Sequence, residues 1–263
     1  MDRPLFLEEI DEEGVAHIAL TRPDKHNAFN AELIAELTSA LQGLDDDPRV
    51  RCLALTSEGQ SFSAGADLAW MKSMADASEE DNLHDARALA GLAETLDAFS
   101  KPTVALVQGA AIGGGMGLVA CCDIAVAAQS AFFALSEVRL GLIPAVIQPY
   151  VVSAIGHRAT RYYTLTGERF EAAVALRLGL VHKVVPDDDL QAAGRKIVDS
   201  VLKGGPYAQG EAKSQLRALR GYMGTPEARE DAAHRIARLR VGDEGQEGIA
   251  AFLEKRKPWW QAD

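Results

Sequence analysis

The chain of 263 residues is long enough to bury a sizeable core, and its 27 basic and 38 acidic side chains leave a net charge of −11. That balance argues against a dedicated nucleic-acid surface, and no apolar run reaches the roughly 20 residues that cross a bilayer. Cys52, Cys121 and Cys122 make neither a disulfide framework nor a metal-ligand spacing, and Met1 to Pro4 opens no signal peptide. A cytoplasmic protein without membrane attachment is expected.

In chain order, Leu5–Ile10 and Val15–Leu20 read as two strands joined by the acidic, glycine-ended turn Asp11 to Gly14. Arg22 to Asn27 is a polar loop broken by Pro23. Asn30 is a plausible N-cap for a helix that places Leu33, Ile34, Leu37, Leu41 and Leu44 on one face. Strand Cys52–Thr56, the turn at Ala66, a helix over Leu83–Phe99 and strand Thr103–Val107 come next. An apolar helix-like stretch, Leu118 to Cys122, precedes strand Ile124–Ala127. Such alternation predicts an α/β fold with a mostly parallel or mixed sheet. Beyond Asp187 only helices are expected, over Leu190–Lys203, Tyr207–Leu219, Glu227–Arg240 and Gln246–Arg256.

Two glycine-bearing turns stand at the ends of strands. One is Phe62-Ser63-Ala64-Gly65-Ala66-Asp67, after Cys52–Thr56; the other is Gly113-Gly114-Gly115-Met116-Gly117, after Thr103–Val107. A helix N-terminus leaves backbone N–H groups unpaired, and its dipole favours negative charge there. Two such turns facing each other offer two donors to one oxygen, which is an oxyanion hole. The plainer alternative is that the glycines only permit close packing or positive φ.

Several chemistries are excluded. No glycine-rich loop ends in Gly-Lys-Ser/Thr, Gly113–Gly117 lacks the dinucleotide-binding spacing, and no serine sits in a Gly-x-Ser-x-Gly elbow. The six histidines are scattered without metal-ligand spacing, and only His26 has a neighbourhood that argues for ligand contact. Glu137, within Ala134 to Pro144, is the remaining titratable candidate. A carboxylate in an apolar stretch is costly to bury ionised, and one whose pKa is raised exchanges protons near neutrality. The alternative is a surface glutamate paired with Arg139.

At this point the chain resembles the crotonase (enoyl-CoA hydratase/isomerase) superfamily. The matching segments are Arg22-Pro23 with Asn27 to Asn30, Ser61 to Leu68, Gly109 to Gly117 with Cys122-Asp123, and Phe132 to Pro144. They continue with Leu165 to Glu168, Ala175 to Val184 and Ala251 to Pro258, in family order over essentially the whole chain. The resemblance implies a ββα spiral core over residues 1–200 and a C-terminal helical region over 201–263 that builds trimers or hexamers. It implies an acyl-CoA substrate, with CoA present only as part of that substrate and no metal or other cofactor. The thioester oxygen would lie between the N–H groups of Ala66 and Gly114, and Glu137 would be the acid/base. Lys25, His26, Ala64, Asp67, Leu68 and Gly113 match positions along the substrate and its CoA. Phe252 and Lys255 match a tail that approaches a neighbouring subunit's CoA.

One departure stands out. Simple hydratases of the family carry a second glutamate twenty residues before the one matched by Glu137, and Gly117 occupies that place. The finer pattern around Ala64–Met71, Gly117–Asp123 and Leu135–Ala145 resembles bacterial hydratases of 3-methylglutaconyl-CoA or isohexenylglutaconyl-CoA, of leucine or acyclic-terpene breakdown. A substrate carboxylate of that kind would help to position water; Arg87, Arg139, Gln148 and Tyr150 are candidates to bind it. A Δ3,Δ2-enoyl-CoA isomerase using Glu137 alone is the second reading, and a weakly catalytic RNA-binding or scaffold protein the third.

Overall fold

In the computed structural model, which describes residues 3–222 and 225–261, alternating apolar residues lay a hairpin at one edge of a six-stranded sheet. β1 (Phe6–Ile10) and β2 (Val15–Leu20) pair antiparallel, Phe6 opposite Leu20 and Ile10 opposite Ala16. α1 (Ala31–Asp46) begins where Asn30 accepts from the Leu33 N–H at 3.0 Å, and it buries the five apolar residues that the spacing marks. β3 (Cys52–Ser57), α2 (Leu68–Ala75), α3 (Glu79–Ala98) and β4 (Thr103–Val107) follow.

The chain then repeats one unit: a strand in the large sheet, a short step, a strand in a second sheet, and a helix. β4, β5 (Ala110–Ile112) and α4 (Gly114–Cys121) make one turn of it. β6 (Ile124–Ala128), β7 (Phe132–Ala134) and α5 (Gln148–Thr166) make the next. β8 (Phe170–Glu171), α6 (Ala172–Leu178), β9 (Lys183–Val185) and α7 (Leu190–Leu202) complete the layers. The large sheet runs β1-β2-β3-β4-β6-β9, parallel except at β1–β2; the small one runs β5-β7-β8. Helices α8 (Pro206–Tyr222), α9 (Pro226–Val241) and α10 (Asp243–Glu254) close the chain, and no strand follows β9 among the described residues.

Because side chains alternate along a strand, β3 sends Leu53 and Leu55 to one face and Cys52 and Ala54 to the other. The first pair joins a core with Phe29, Phe62, Phe99 and Phe133; the second packs under Val198 and Val201 of α7. Three helix starts differ from the sequence reading by three residues or more. α3 begins at Glu79, since Ser78 and Asp81 form a capping box. α4 begins at Gly114, because the glycine run is itself the first helical turn. α10 begins at Asp243. No described helix is long and apolar enough to cross a membrane.

Candidate active site

The two glycine turns meet. Phe29 bridges to Ala66, its N–H donating to Gly65 O at 2.7 Å and its carbonyl accepting from Asp67 N–H at 2.8 Å. Ser63 bridges to Ala111, and its carbonyl accepts from Ile112 N–H at 2.9 Å. The turn Phe62–Asp67 is thereby clamped against the β5–α4 junction, and a Cβ on Gly65 would lie 3.9 Å from Gly114 N. Among the described residues neither the Ala66 N–H nor the Gly114 N–H finds an acceptor. These are two donors at the mouth of a helix N-terminus.

Glycine is required at this junction. Gly113 adopts φ +52°, and a Cβ there would stand 2.8 Å from Glu137 Oε1. A Cβ on Gly114 would meet the Phe29 ring at 2.8 Å.

Glu137 therefore lies against the N-terminal turn of α4, at the start of a short 3-10 turn, Glu137–Leu140. It is half-buried, and its Oε2 is buried without a hydrogen-bond partner. Burial pushes its pKa up, opposed only by its own backbone N–H. The expected alternative, an ion pair with Arg139, does not form; the Arg139 guanidinium Nε lies where a Cβ of Gly167 would meet it, at 2.8 Å. A lone carboxyl group with a raised pKa beside two free N–H donors can move a proton while an oxyanion is held.

The loop 22–29 and the turn 63–67 form one body. The Asn27 amide is fully buried, donating to Glu58 O and Ser61 O at 2.8 Å each and accepting from Arg22 N–H at 2.8 Å. Arg22 donates to Ala28 O, and to Asp67 at 3.0 Å. Asp67 in turn caps α2, accepting from Ala69 N–H at 2.8 Å. Burial works to raise the Asp67 pKa, but the Ala69 N–H and the Arg22 guanidinium together hold it below the usual carboxylate range. His26 carbonyl accepts from Ala64 N–H at 2.9 Å, and its ring Nδ1 lies 3.1 Å from Ser61 Oγ. Lys25, His26, Ala64, Asp67 and Leu68 are thus brought together beside Ala66, with Leu68, Lys25 and His26 exposed.

Phe252 and Lys255 are not part of this cluster. They lie at the C-terminal end of α10, which packs on α8 and α9. Of the four candidates for a substrate carboxylate, Arg87 is exposed on α3 and Tyr150 packs half-buried on the core. Gln148 lines a cavity of about 470 Å³ with His157 and Arg161. None of the four hydrogen-bonds Glu137. Sequence reasoning assigned no role to Arg22, Asn27, Ser63 or Ile147; the first three carry a local signal, being small or polar residues inside motifs already marked.

A larger cavity, about 550 Å³, opens at the far end of α4, lined by Cys121, Cys122, Asp123, His182, Lys213 and Arg217 among others. Its charges are paired, Lys213 with Asp123 at 2.6 Å and Arg217 with Asp97 at 3.4 Å. The free Gly114 N–H and the partnerless Glu137 Oε2 lie at the other end of α4. Among the described residues no group of three or more His, Cys, Asp or Glu side chains is placed to hold a metal.

Fold and site define an α/β enzyme built around one half-buried carboxyl group at a helix N-terminus. The chain belongs to the enoyl-CoA hydratase/isomerase family, whose model matches residues 10–263. It is 46% identical to a crystallised enoyl-CoA hydratase from Shewanella pealeana, with a TM-score of 0.94 over 98% of this chain and 96% of that one. Pseudomonas aeruginosa AtuE is 37% identical, TM-score 0.94, over 98% and 100% of the two chains. The mevalonyl-coenzyme A hydratase sidH of Aspergillus fumigatus is 33% identical over 93% of this chain and 90% of its own. The spiral α/β core with its C-terminal helices is that family's fold.

Proposed function

We propose that the protein is an enoyl-CoA hydratase that adds water to a glutaconyl-type branched acyl-CoA, 3-methylglutaconyl-CoA or isohexenylglutaconyl-CoA. The observation that carries the chemistry is the partnerless Oε2 of Glu137 beside the turn that holds the free Gly114 N–H. In this reading the thioester oxygen accepts from the Ala66 and Gly114 N–H groups, each donor contributing on the order of 3 kcal/mol as enolate charge develops. Glu137 as carboxylate takes a proton from water while the water oxygen bonds to Cβ and the π electrons move toward the thioester oxygen. The Glu137 acid then returns that proton to Cα, and the enolate collapses to the 3-hydroxyacyl thioester. Lys25, His26, Ala64, Asp67, Leu68 and Gly113 line the substrate and its CoA, which is the only coenzyme required. A homotrimer or hexamer assembled through residues 201–263, in the cytoplasm, completes the proposal; relatives named as CoA hydratases support the substrate class.

Gly117 favours one other reading, a Δ3,Δ2-enoyl-CoA isomerase in which Glu137 alone carries the proton from Cα or Cγ to the other. Incubation in deuterated water with 3-methylglutaconyl-CoA, and with a 3-enoyl-CoA of similar length, separates the two. A product heavier by water, with one deuterium at Cα and lost in Glu137→Gln, is expected. Double-bond migration without added water would overturn the hydratase reading in favour of the isomerase.

A further inference from the structure

Gly117 leaves no vacancy. It lies one turn along α4 from Gly113, its N–H donating to Gly113 O at 3.0 Å. Gly113 itself is the N-cap, outside the helical backbone, and α5 packs both on α4 and on the 3-10 turn Glu137–Leu140. A Cβ on Gly113 would meet the Glu137 carboxylate at 2.8 Å, and a Cβ on Gly117 would meet Ile147 Cβ at 2.8 Å, with Cγ2 closer still. Ile147, at the start of α5, therefore walls α4 one turn beyond the glycine that faces the Glu137 carboxyl group. It is 3% exposed and stands at the N-cap of α5. The backbone there is fixed on both sides, Gln148 N–H donating to Pro144 O at 3.0 Å and Val151 N–H to Ile147 O at 3.1 Å.

A water that is to add to a double bond must be held by more than one polar group. Glu137 supplies one, and hydrocarbon fills the place that a side chain at 117 would take. Among the described residues, the other buried side-chain atoms without partners, Arg51 Nε and Thr164 Oγ1, belong to neither of the two turns nor to α4.

We propose that Ile147 is a specificity-determining residue: by occupying the side-chain space of position 117 it limits efficient hydration to acyl groups that bring their own carboxylate to orient the water. The inference rests on the hydratase reading above and says what enforces its substrate class. An acyl group with a methyl in place of the carboxylate leaves the water with Glu137 alone. A polar atom placed where Ile147 Cγ2 stands would relieve that dependence.

The test compares kcat/KM for glutaconyl-CoA and for pent-2-enoyl-CoA, which carries a methyl group where the former has its carboxylate. The wild-type chain is expected to favour glutaconyl-CoA by at least ~100-fold, below the ~10⁴-fold by which sites can reject an analogue lacking a needed polar group. Ile147→Thr, which keeps the β-branch and adds a hydroxyl, should narrow that ratio about tenfold by raising turnover of pent-2-enoyl-CoA. Ile147→Val, the apolar control of similar shape, should leave the ratio unchanged, whereas a purely structural role would lower both substrates alike in both variants. The double variant Gly117→Glu with Ile147→Ala provides an independent arm, since it restores an acid in the space Ile147 vacates and should also narrow the ratio. Equal wild-type rates on the two substrates would overturn this inference and leave the hydratase reading standing. So would unchanged ratios in the folded Thr and double variants. Hydration of neither substrate would remove both.

Discussion

At Glu137 the cost of a buried carboxylate is retained rather than relieved, and that cost sets two measurable consequences. Hydration needs the ionised form as base, and burial raises the folded-state pKa. Activity should therefore fall in acid through an apparent pKa above the ordinary carboxylate range, and Glu137→Gln should lower kcat by about 10³-fold with little change in KM. The stability sign is the opposite. With its folded pKa raised, the wild-type group contributes fully below the unfolded carboxyl value and loses that contribution as pH rises through the folded one. Glu137→Gln should melt with the wild type in acid and above it at mildly alkaline pH; equal Tm values at both would contradict the burial seen here. The thiols behave in the same sense without a role in the reaction. Burial pushes Cys52 and Cys122 up to about 12, so neither is a thiolate at neutral pH. Both should resist alkylation in the folded protein and react once denaturant is added.

Between the residue and the fold stands the body formed by loop 22–29, turn 63–67 and the first turn of α2, with the Arg22–Asp67 pair inside it. Both side chains are largely shielded, 15% and 10% exposed, so removing one partner strands a charge. Arg22→Met should cost about 3 kcal/mol in denaturant unfolding, part of it through the lost bond to Ala28 O. Since Asp67 is held below its ordinary pKa, its stabilising contribution is present above the unfolded value and lost as pH falls through the folded one. The variant should accordingly show a flatter loss of Tm in acid than the wild type. Elements of this size were also the limit of what the sequence made legible. β2 and α1 could be read because their period is long enough to see, and the glycine turns because their signal is local. β5, β7 and β8 are two or three residues each, too short to show alternation, and α5 is broken at Gly156, φ +74°, which hides its period. The contact of Ile147 with Gly117 could not be read at all, since it joins positions thirty residues apart through the packing of α5 on α4.

At the scale of the whole molecule, the C-terminal helices are fastened to the core by a few polar contacts while much of their apolar surface faces outward. The Arg51 guanidinium donates to Trp260 O and Leu202 O at 2.9 Å and to Gly204 O at 3.1 Å. Lys213 of α8 pairs with Asp123 at 2.6 Å, and within the helical region the Glu244 carboxylate accepts from Tyr207 and Ala208 N–H at 2.9 and 2.7 Å, at the positive end of α8. Yet Phe252 is 82%, Leu253 73% and Val241 77% exposed, with Ile249, Leu216 and Trp259 about half or more. A net charge of −11 keeps such a chain apart in general, so close association would have to come from apolar contacts of this kind. Light scattering on the purified protein should give three or six copies, and Phe252→Ser with Leu253→Ser should shift the mass downward. If the tail also reaches a neighbour's CoA, as the resemblance implies for Phe252 and Lys255, then Lys255→Ala should raise KM for the acyl-CoA severalfold at constant mass and kcat. A wild-type monomer with full activity would refute the assembly and with it any role for the tail in trans, while leaving the chemistry assigned to Glu137 untouched.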